Sequence, residues 1–544
     1  MRTGMLLALC VATIGCGDSS HDPVADFDSS IDANEVTPPA PVCGAPVSAV
    51  DTSTPDHIVG DGSGASCTEQ ALATAIAAGG KITFNCGVPT ISIRITTTLQ
   101  LRTDVATTID GGGKVALDGD DKVQILRFDH PNYRVNTTVL TLQHLTLAHG
   151  KATGTRMFAT APPPCSQGFY DGYGGALYVR DGELVVIDSK FTGNHAASLG
   201  PDVGGGAISL LGVRRAIIAG SVFQNNLGSN GGAINVLNSE LDVYDSAFDG
   251  NLAEGNGANG DDSTKCSVIA ETGQHQIGSG GNGGAIVIDG GDDLVHTFCG
   301  VRFTNNAGGA GALGGALFRT PDGPKRMSVI DRCTFDTNRG ESGGAAYFHN
   351  SDLRIVATTF SNNTATKGSG ALQADTTMFA LQNNTFAGNS ALAGLGGAIS
   401  LFGGGGTIEF TTFANNHADG GDPYFGAAIG GSPTLTLRSN IFSKNTAKNP
   451  GAPMQCHVTG TGDGNLQFPR NHVIGNAADA PCTPTTTFGD PVLGDLGDHG
   501  GPTATFFPGA GSPALTAGVM CPPTDQRGMP RPATGCTSGS VQAP

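Results

Sequence analysis

The chain has no tryptophan, few charged residues and fewer basic than acidic ones. Charged residues make up 14% of the sequence, against about 25% in an average soluble protein. The 47 acidic residues outnumber the 29 basic ones and give a net charge of −18, which argues against a nucleic-acid partner and against electrostatic binding to anionic lipid. The absence of tryptophan weakens a role in stacking on sugar rings, although tyrosine and phenylalanine can substitute.

Long hydrophobic runs are also missing. Beyond the N-terminus no segment reaches the roughly eighteen apolar residues that indicate a membrane-spanning helix. Residues 1–16 carry one arginine, a short apolar run and a small residue before Cys16, which predicts a signal peptide. Their end resembles a bacterial lipobox, with Gly15 and Cys16 in place and Thr13 where leucine is usual. The resemblance implies lipidation of Cys16 and, through the lipid, a membrane as partner; the alternative is ordinary secretion with a free Cys16.

The following segment, 17–42, is acidic, rich in proline and without apolar periodicity. These features predict a disordered tether between the lipid and a folded body that begins at residue 43. We therefore expect the protein at the outer membrane or cell surface, or secreted if Cys16 is not lipidated.

Cysteine spacings typical of zinc sites are absent, because the chain has no Cys-x-x-Cys motif and no His/Cys cluster. Disulfides therefore explain the cysteines better than a metal does. Eleven cysteines, an odd number, follow the signal peptide of a chain exported to where disulfides form. Sequence spacing suggests, without fixing, the following pairs: Cys67 with Cys86, Cys456 with Cys482, Cys521 with Cys536, and Cys299 with Cys333. A further pair, Cys165 with Cys266, would join two long loops that interrupt the repeat.

Glycine is abundant, at 84 of 544 residues, and many of these glycines belong to a repeat. A Phe-x-x-Asn motif occurs nine times, and a Gly-Gly-Ala-Ile-like group stands 17 to 21 residues before each copy. A shared period of about 20 to 50 residues indicates a repeat array. The asparagines of the motif are Asn194, Asn226, Asn251, Asn306, Asn338, Asn363, Asn389, Asn416 and Asn445.

The apolar positions around each phenylalanine predict the local structure. The residue five before it is apolar in all nine copies, and the residue seven before it in six, so both lie on one face of a short strand. The nearer of these residues and the phenylalanine are five positions apart, an odd number, so a straight strand would place them on opposite faces. The chain must therefore bend between them if all three residues face one core. About three short strands per repeat predict an all-β parallel β-helix of about 12 coils. At one turn of every coil the asparagines would form a ladder of side-chain amides.

The same pattern sets the domain boundaries. The β-helix is predicted over 91–455, interrupted by inserts near 151–173 and 252–282 that project as loops. Residues 43–90 are predicted to cap the first coil, because residues 71–76 have the apolar spacing of a short helix.

Two resemblances add to this prediction. The GGAI-like and Phe-x-x-Asn motifs over 175–445 resemble the polymorphic outer-membrane protein repeats of chlamydiae and other bacteria, which implies a right-handed β-helix of the pectin-lyase-like class. Over 489–532, the stretches GDPVLGDLGDHGGPTATFFPGAGSPALTAG and DQRGMPRP resemble the choice-of-anchor Q domain. That family ends differently from the SGSVQAP of this chain. We interpret 456–544 as a C-terminal cap and expect it to cover the strand edges of the last coil.

Many right-handed β-helices are polysaccharide lyases or hydrolases, which need clustered acids. Most acidic clusters here stand beside glycine in turn-like contexts, where aspartate bonds the local backbone. We therefore predict no catalytic residue, no metal site and no cofactor. The clusters are Asp118, Asp120 and Asp121; Asp242 and Asp245; Asp261 and Asp262; and Asp289, Asp292 and Asp293.

Two histidines and one group of aromatic residues are the remaining candidates for catalytic or binding residues. His149 matches too short a motif to indicate catalysis, and His499 is interpreted as structural. The rings of the first insert either contact carbohydrate or protein or, as we favour, cover the coil beneath. These rings are Phe158, Phe169, Tyr170 and Tyr173.

The sequence thus favours a monomeric, lipid-anchored bacterial surface protein with a structural, adhesive or display role and no catalysis. The alternative is a polysaccharide-binding or polysaccharide-degrading β-helix protein, and the expected partners are extracellular polysaccharides or surface proteins. An enzyme should project three or more charged side chains from one strand face into a groove. A display rod should present serine, threonine, asparagine and scattered charge there.

Overall fold

The computed structural model describes residues 36–158, 165–257, 278–291, 294–321, 327–375, 377–420, 426–447, 455–457, 460–470 and 480–543. They wind into a right-handed parallel β-helix of about 13 turns with little helix. The predicted fold class is confirmed, and the predicted coil number of about 12 is close to the observed one.

Each full coil contributes strands to three long columns, and every strand pairs in parallel with its equivalent in the next coil. Column 1 follows the GGAI motif and consists of Leu99–Gln100, Leu126–Asp129, Leu177–Arg180, Ile208–Leu211, Ile234–Leu237, Ile286–Asp289, Leu317–Thr320, Ala346–His349, Leu372–Asp375, Ile399–Phe402 and Ile429–Gly431. Column 2 consists of His57–Val59, Gly80–Phe84, Glu183–Ile187, Arg215–Ala219, Leu241–Tyr244, His296–Cys299, Met327–Asp331, Asp352–Val356, Met378–Gln382, Gly405–Glu409 and Thr434–Arg438.

Column 3 carries the phenylalanine of the motif. It consists of Ile91–Arg94, Lys190–Thr192, Val222–Gln224, Ala247–Asp249, Arg302–Thr304, Thr334–Asp336, Thr359–Ser361, Thr385–Ala387, Thr412–Ala414, Ile441–Ser443, Leu466–Phe468 and Thr487–Phe488. Two long strands, Thr107–Asp118 and Val139–Ala148, contribute their first halves to column 2 and their second halves to column 3. Short strands after the asparagine form column 4: Leu227–Gly228, Leu252–Ala253, Arg339–Gly340, Thr364–Ala365, Ser390–Ala391, His417–Ala418 and Thr446–Ala447.

The nine phenylalanines of the motif form one continuous stack inside the rod. Successive strands of column 3 pair so that phenylalanine faces phenylalanine. Neighbouring ring centroids are 4.6 to 5.2 Å apart with interplanar angles of 0° to 17°, and all nine rings are buried. The stack consists of Phe191, Phe223, Phe248, Phe303, Phe335, Phe360, Phe386, Phe413 and Phe442.

The bend required by the odd offset is a single left-handed residue between columns 2 and 3. In every coil of the repeat the residue three before the phenylalanine has a φ of 44° to 67°. This one residue turns the chain so that the strand before it and the phenylalanine after it face the same core. We call this row the left-handed corner; it consists of Asp188, Gly220, Asp245, Gly300, Arg332, Ala357, Asn383, Phe410 and Ser439.

The second glycine of the Gly-Gly pair is explained by a close approach between coils. A Cβ atom at this position would lie 1.9 to 2.5 Å from a carbonyl oxygen of the next coil, a distance that real Cβ atoms do not reach. Column 1 therefore begins where two backbones pass with no room for a side chain. The glycines in question are Gly175, Gly206, Gly232, Gly284, Gly315, Gly344, Gly370 and Gly397.

We expect Gly344→Ala to destabilise the rod by about 1–3 kcal/mol, the usual cost of overpacking. The new methyl group would lie 2.1 Å from the carbonyl oxygen of Gly370 and 2.7 Å from the carbonyl carbon of Thr364, so the coils must separate locally. The matched control is Gly44→Ala, because no atom lies within 4 Å of a Cβ built on Gly44. Chemical denaturation of both variants checks this, and equal stabilities would show that the coils absorb the methyl group without strain.

The described residues contain one α-helix, α1 (Glu69–Ala78), which packs beside the first coils through Leu72, Ala75 and Ile76. The Thr68 hydroxyl accepts the Ala71 N–H at 3.2 Å and caps its start. The helix lies where helical spacing predicted it. In the part of the chain that the structure describes, no helix is long and apolar enough to cross a membrane.

Residues 36–56, the N-terminal strap, lie along the outside of the left-handed corner. This corrects the boundary of the expected tether 17–42, since residues 36–42 contact the rod. The Asp245 carboxylate accepts the Val42 N–H at 2.8 Å, and Arg332 donates to the Val42 carbonyl at 2.6 Å. The earlier part of the expected tether lies outside the described residues.

The disulfide expectations held for three pairs and failed for a fourth. Cys67–Cys86, Cys456–Cys482 and Cys521–Cys536 are present. Cys299 pairs with Cys43 of the N-terminal strap, whereas Cys333 is a buried free thiol. The expectation was wrong because the left-handed corner separates the two: Cys299 precedes it on the outer face of column 2, and Cys333 follows it in the core. Cys165 is disulfide-bonded, and Cys266 lies outside the described residues.

The C-terminal region also differs from the expected cap. Its first part continues the rod, because Leu466–Phe468 and Thr487–Phe488 add parallel strands to column 3. The remainder, residues 489–543, which we call the C-terminal segment, lies along the side of the rod. It covers the left-handed corner, where Thr503 donates to the Ala357 carbonyl at 3.0 Å and Arg531 stacks on Phe410 at 4.6 Å. Hydroxyl and carbonyl groups of the rod along this corner form hydrogen bonds with the C-terminal segment, so the segment lies against the side of the rod.

Candidate functional site

The structure brings all nine motif asparagines into one buried ladder. Each side-chain oxygen accepts the backbone and side-chain N–H groups of the preceding asparagine at 2.8 to 3.1 Å. Each side-chain nitrogen also donates to the backbone of the preceding coil, as Asn338 does to the Phe303 carbonyl at 3.0 Å. The ladder ends on Gly150 and on Gln455. Every amide is used within the rod, so the ladder holds coils together and offers no ligand site.

A second ladder runs inside the left-handed corner, and sequence reasoning missed it. It occupies the position two before the phenylalanine, or before Gln467 in the coil that follows the repeat, and it is interrupted at Val301 and Cys333. There a hydroxyl or amide oxygen accepts the backbone N–H of the preceding coil, as Ser221 does from Ser189 at 3.1 Å. The available signal was the run of small polar residues at this position. Its accepting members are Ser189, Ser221, Ser246, Thr358, Asn384, Asn440 and Asn465.

One polar cluster lies inside the core. Arg319 is fully buried, and its guanidinium contacts Ser351 Oγ at 3.3 Å and the Leu294 carbonyl at 3.4 Å. Burial, together with the charge of Arg319, holds the pKa of His296 well below its ordinary value. Three copies of the repeat lack an apolar residue seven before the phenylalanine, and two of them have His296 and Ser328 at that position. These exceptions were the sequence signal for a polar patch in the interior.

The acidic clusters predicted from sequence do not come together as one site. Asp118 and Asp120 lie near the N-terminal end, Asp242 on the outer face of column 2, and Asp245 under the N-terminal strap. Asp261, Asp262, Asp292 and Asp293 lie outside the described residues. Within the described ranges no three His, Cys, Asp or Glu side chains are grouped so as to hold a metal ion.

Charge on the outer face of column 2 is less scattered than expected. Arg215 lies 3.2 Å from Asp242 and 3.5 Å from Glu240, and the neighbouring Arg214 lies 3.7 Å from Glu183. The Asp242 carboxylate also accepts the backbone N–H of Thr297 at 3.0 Å. The acids and bases are thus arranged as ion pairs along the strand face.

His149 occupies a left-handed turn beside Asp118, with Nδ1 3.3 Å from the carboxylate. The hydrogen bond to Asp118 raises the pKa of His149 above its ordinary value. Burial works to raise the pKa of Asp118, but its bonds to His149 and to the Asp120 N–H leave it below the ordinary value. The two shifts have the signs of a stabilising ion pair.

This pair should stabilise the fold only within a limited pH range. Its contribution should fade as the pH rises through the raised pKa of His149, and also as it falls through the lowered pKa of Asp118. In an NMR titration we expect His149 to titrate above its ordinary value of about 6.5 and to move back down in Asp118→Asn. Asp104→Asn, which removes an exposed partner of Arg102, should leave it unchanged. An identical titration of His149 in Asp118→Asn would refute the pairing.

The rings of the first insert pack on one another and on column 1. Phe158 and Tyr170 have centroids 5.2 Å apart, and Arg156 stacks on Tyr170 at 4.5 Å. Tyr173 lies 5.8 Å from Tyr178 of column 1, and burial raises its pKa. These contacts favour the covering role.

A groove of about 360 Å³ lies between column 3 and the C-terminal segment. Asn362, Asn415 and Lys444 belong to the turns that precede the ladder asparagines and line one side. Asp495 and Leu496 line the other. Sequence reasoning missed this groove because its two sides are far apart in the chain and meet only when the C-terminal segment folds back.

Polar side chains continue from the groove along the same edge of column 3. The Asp336 carboxylate accepts hydrogen bonds from Ser361 at 2.6 Å and from Asn362 at 3.0 Å. Asp249 accepts from Thr304 and Asn305 at the same two distances. The groove therefore opens onto a repeating polar edge. His499 lies in the C-terminal segment, with Nδ1 3.1 Å from the Thr505 hydroxyl.

Residues 262–442 match the protein family described as right handed beta helix region. No curated protein sequence matches the chain. Among solved structures, the chain is similar to the A-module of the mannuronan C-5 epimerase AlgE6 of Azotobacter vinelandii, with 12% identity, 76% of this chain and 100% of that chain covered, and a TM-score of 0.37. It is also similar to PfbA, a surface adhesin of Streptococcus pneumoniae, with 11% identity, coverages of 79% and 99%, and a TM-score of 0.32. At these values neither likeness bears on function.

Proposed function

We propose that the protein is an exported, lipid-anchored bacterial surface protein whose β-helix serves as a stiff rod with a structural, adhesive or display role. The observation that carries the proposal is a rod with disulfides along its length: Cys43–Cys299, Cys67–Cys86, Cys456–Cys482 and Cys521–Cys536. Disulfides persist in exported proteins and are rare in the cytosol of mesophiles. This supports the signal peptide proposed for 1–16.

In this proposal the anchor is a lipid on Cys16, and the protein is displayed as a monomer at the outer membrane or cell surface. Lipid with two or more acyl chains gives stable membrane attachment. The partners would be extracellular polysaccharides or other surface proteins.

Anchoring is tested by Cys16→Ser in the exporting host. We expect the wild-type chain in the membrane fraction, with acyl groups on its N-terminal peptide by mass spectrometry, and the variant in the soluble fraction. Protease added to intact cells should digest the wild-type chain if it faces outward. A variant that stays in the membrane fraction would refute lipid anchoring through Cys16.

A second candidate, glycan binding, is favoured by the groove beside the C-terminal segment. Its walls combine amides, Lys444 and Asp495, and it continues into a repeating polar edge that suits a repeating polymer. The test is a polysaccharide array, with and without calcium, that reads binding, reducing ends and unsaturated product. Binding that is lost in Lys444→Ala and kept in Lys367→Ala, which alters an exposed lysine outside the groove lining, would support it. Cleavage of a polysaccharide would show that the protein is an enzyme. If the array shows neither binding nor cleavage, glycan binding is excluded for the polysaccharides tested and the display role stays the proposed function.

A further inference from the structure

The N-terminal strap follows the left-handed corner across eight successive strands of column 2, from Gly80–Phe84 to Met327–Asp331. At about 4.8 Å per coil this is a distance of about 34 Å. The described chain begins at Val36, and Arg302 donates to the Thr37 carbonyl at 2.6 Å. The first described residues therefore lie against the middle of the rod, not against its first coil.

The strap contacts the rod at both of its ends. At the middle of the rod, Asp245 accepts the N–H groups of Val42 and Cys43 at 2.8 and 3.2 Å, and Arg332 donates to Val42. At the first coils, Asp56 accepts the Lys81 N–H at 2.7 Å.

Between these ends the contacts are polar and few. Val50 exchanges two hydrogen bonds with the Gln143 side chain at 2.8 and 3.0 Å, and Thr52 donates to Asp110 at 2.7 Å. Residues 36–56 have no buried member. Hydrogen bonds of this kind each contribute little net free energy, so the covalent Cys43–Cys299 disulfide is the strongest link between the strap and the middle of the rod.

We propose that the strap is a disulfide-held clamp that sets where the rod is attached. With Cys43–Cys299 closed, tension applied at Val36 enters the rod at its middle and bypasses the first coils. With it open, the strap peels away, the attachment point moves to the first coil, and the tether gains up to about 70 Å. The statement about attachment rests on the proposed lipid anchor; the clamp itself does not.

Opening is a thiol–disulfide exchange with an external dithiol. A thiolate of the dithiol bonds to one cysteine sulfur, and the other cysteine leaves as a thiolate. The second dithiol sulfur then displaces the first cysteine and closes a cyclic disulfide. Cys43 and Cys299 each end as thiols with protons from the dithiol, which is oxidised by two electrons.

Hydrogen–deuterium exchange on the purified whole chain tests the clamp. In Cys43→Ser/Cys299→Ser, peptides within 36–56 should exchange at least tenfold faster than in wild type, while peptides within 177–249 keep their protection. The matched control is Cys521→Ser/Cys536→Ser, which opens a disulfide of the C-terminal segment and should leave the strap unchanged. Wild type treated with a dithiol should behave as the first variant.

Two results would overturn the clamp. Unchanged exchange of 36–56 would show that hydrogen bonds alone hold the strap. Loss of protection in 177–249 together with the strap would show that the disulfide staples the coils themselves. Because no membrane is present, a failed clamp leaves the lipid anchor to be judged by Cys16→Ser, and a failed anchor leaves the clamp standing.

Discussion

Replacing Asn338 by alanine should lower the free energy of unfolding by about 3–5 kcal/mol, because a buried group left without its hydrogen bond costs about 1–3 kcal/mol. Asn338 lies in the middle of the ladder and is fully buried. Its oxygen accepts the backbone and side-chain N–H groups of Asn306 at 3.0 Å each. Its nitrogen donates to the Phe303 carbonyl and to Asn363 at the same distance. Alanine would take a partner from groups in the two adjacent coils: the Asn306 N–H groups and the Phe303 carbonyl on one side, and the Asn363 side-chain oxygen on the other.

The control is the next residue, Arg339, which is exposed, so that Arg339→Ala should change stability by less than about 0.5 kcal/mol. Urea denaturation followed by circular dichroism gives both values. Hydrogen exchange should show that protection in Asn338→Ala falls first between Phe303 and Asn363. Equal stabilities of the two variants would mean that backbone hydrogen bonds hold the turn and that the asparagine ladder does not contribute to its stability.

The part of this fold that could be predicted is the part that repeats. Phe-x-x-Asn recurs because the ring and the amide each contact their own copies in the next coil, so one physical requirement appears nine times in the sequence. The Gly-Gly pair recurs in the same way, and its second glycine marks the contact of two backbones. The repeat itself carried that signal, since glycine holds the position in eight coils and Ala427 holds it in the ninth.

The features that could not be predicted are contacts that occur only once in the chain. Cys43 and Cys299 are 256 residues apart, and no repeat relates them. The C-terminal segment meets column 3 through Gln526, which bonds Thr359 and Thr385 at 2.8 and 2.7 Å. Nothing in the local pattern distinguishes those threonines from others that face solvent. The groove exists only because the C-terminal segment folds back onto the rod, so sequence reasoning could predict the rod but not the candidate site.

The second large effect concerns Phe335, whose ring lies 4.6 Å from Phe303 and 4.7 Å from Phe360. Phe335→Ala should cost about 3–5 kcal/mol, the usual value for a buried phenylalanine, and two stacked pairs are lost with it. In a rod where each coil contacts only its neighbours, such a loss weakens the two interfaces of that coil and leaves the others intact. The location of the coil therefore decides how the molecule unfolds.

Phe335 lies where the two outer segments meet. The N-terminal strap reaches Arg332, and the contacts of the C-terminal segment begin at Ala357. Phe223 has the same stacking, with neighbours at 4.8 and 4.7 Å, but it lies beneath the strap. We expect calorimetry to show two transitions for Phe335→Ala and a single, lowered transition for Phe223→Ala, because the strap and its disulfide still join the coils on either side of Phe223. A single transition in both variants would mean that cooperativity comes from the stacked coils alone and that the outer segments do not divide the rod into two units.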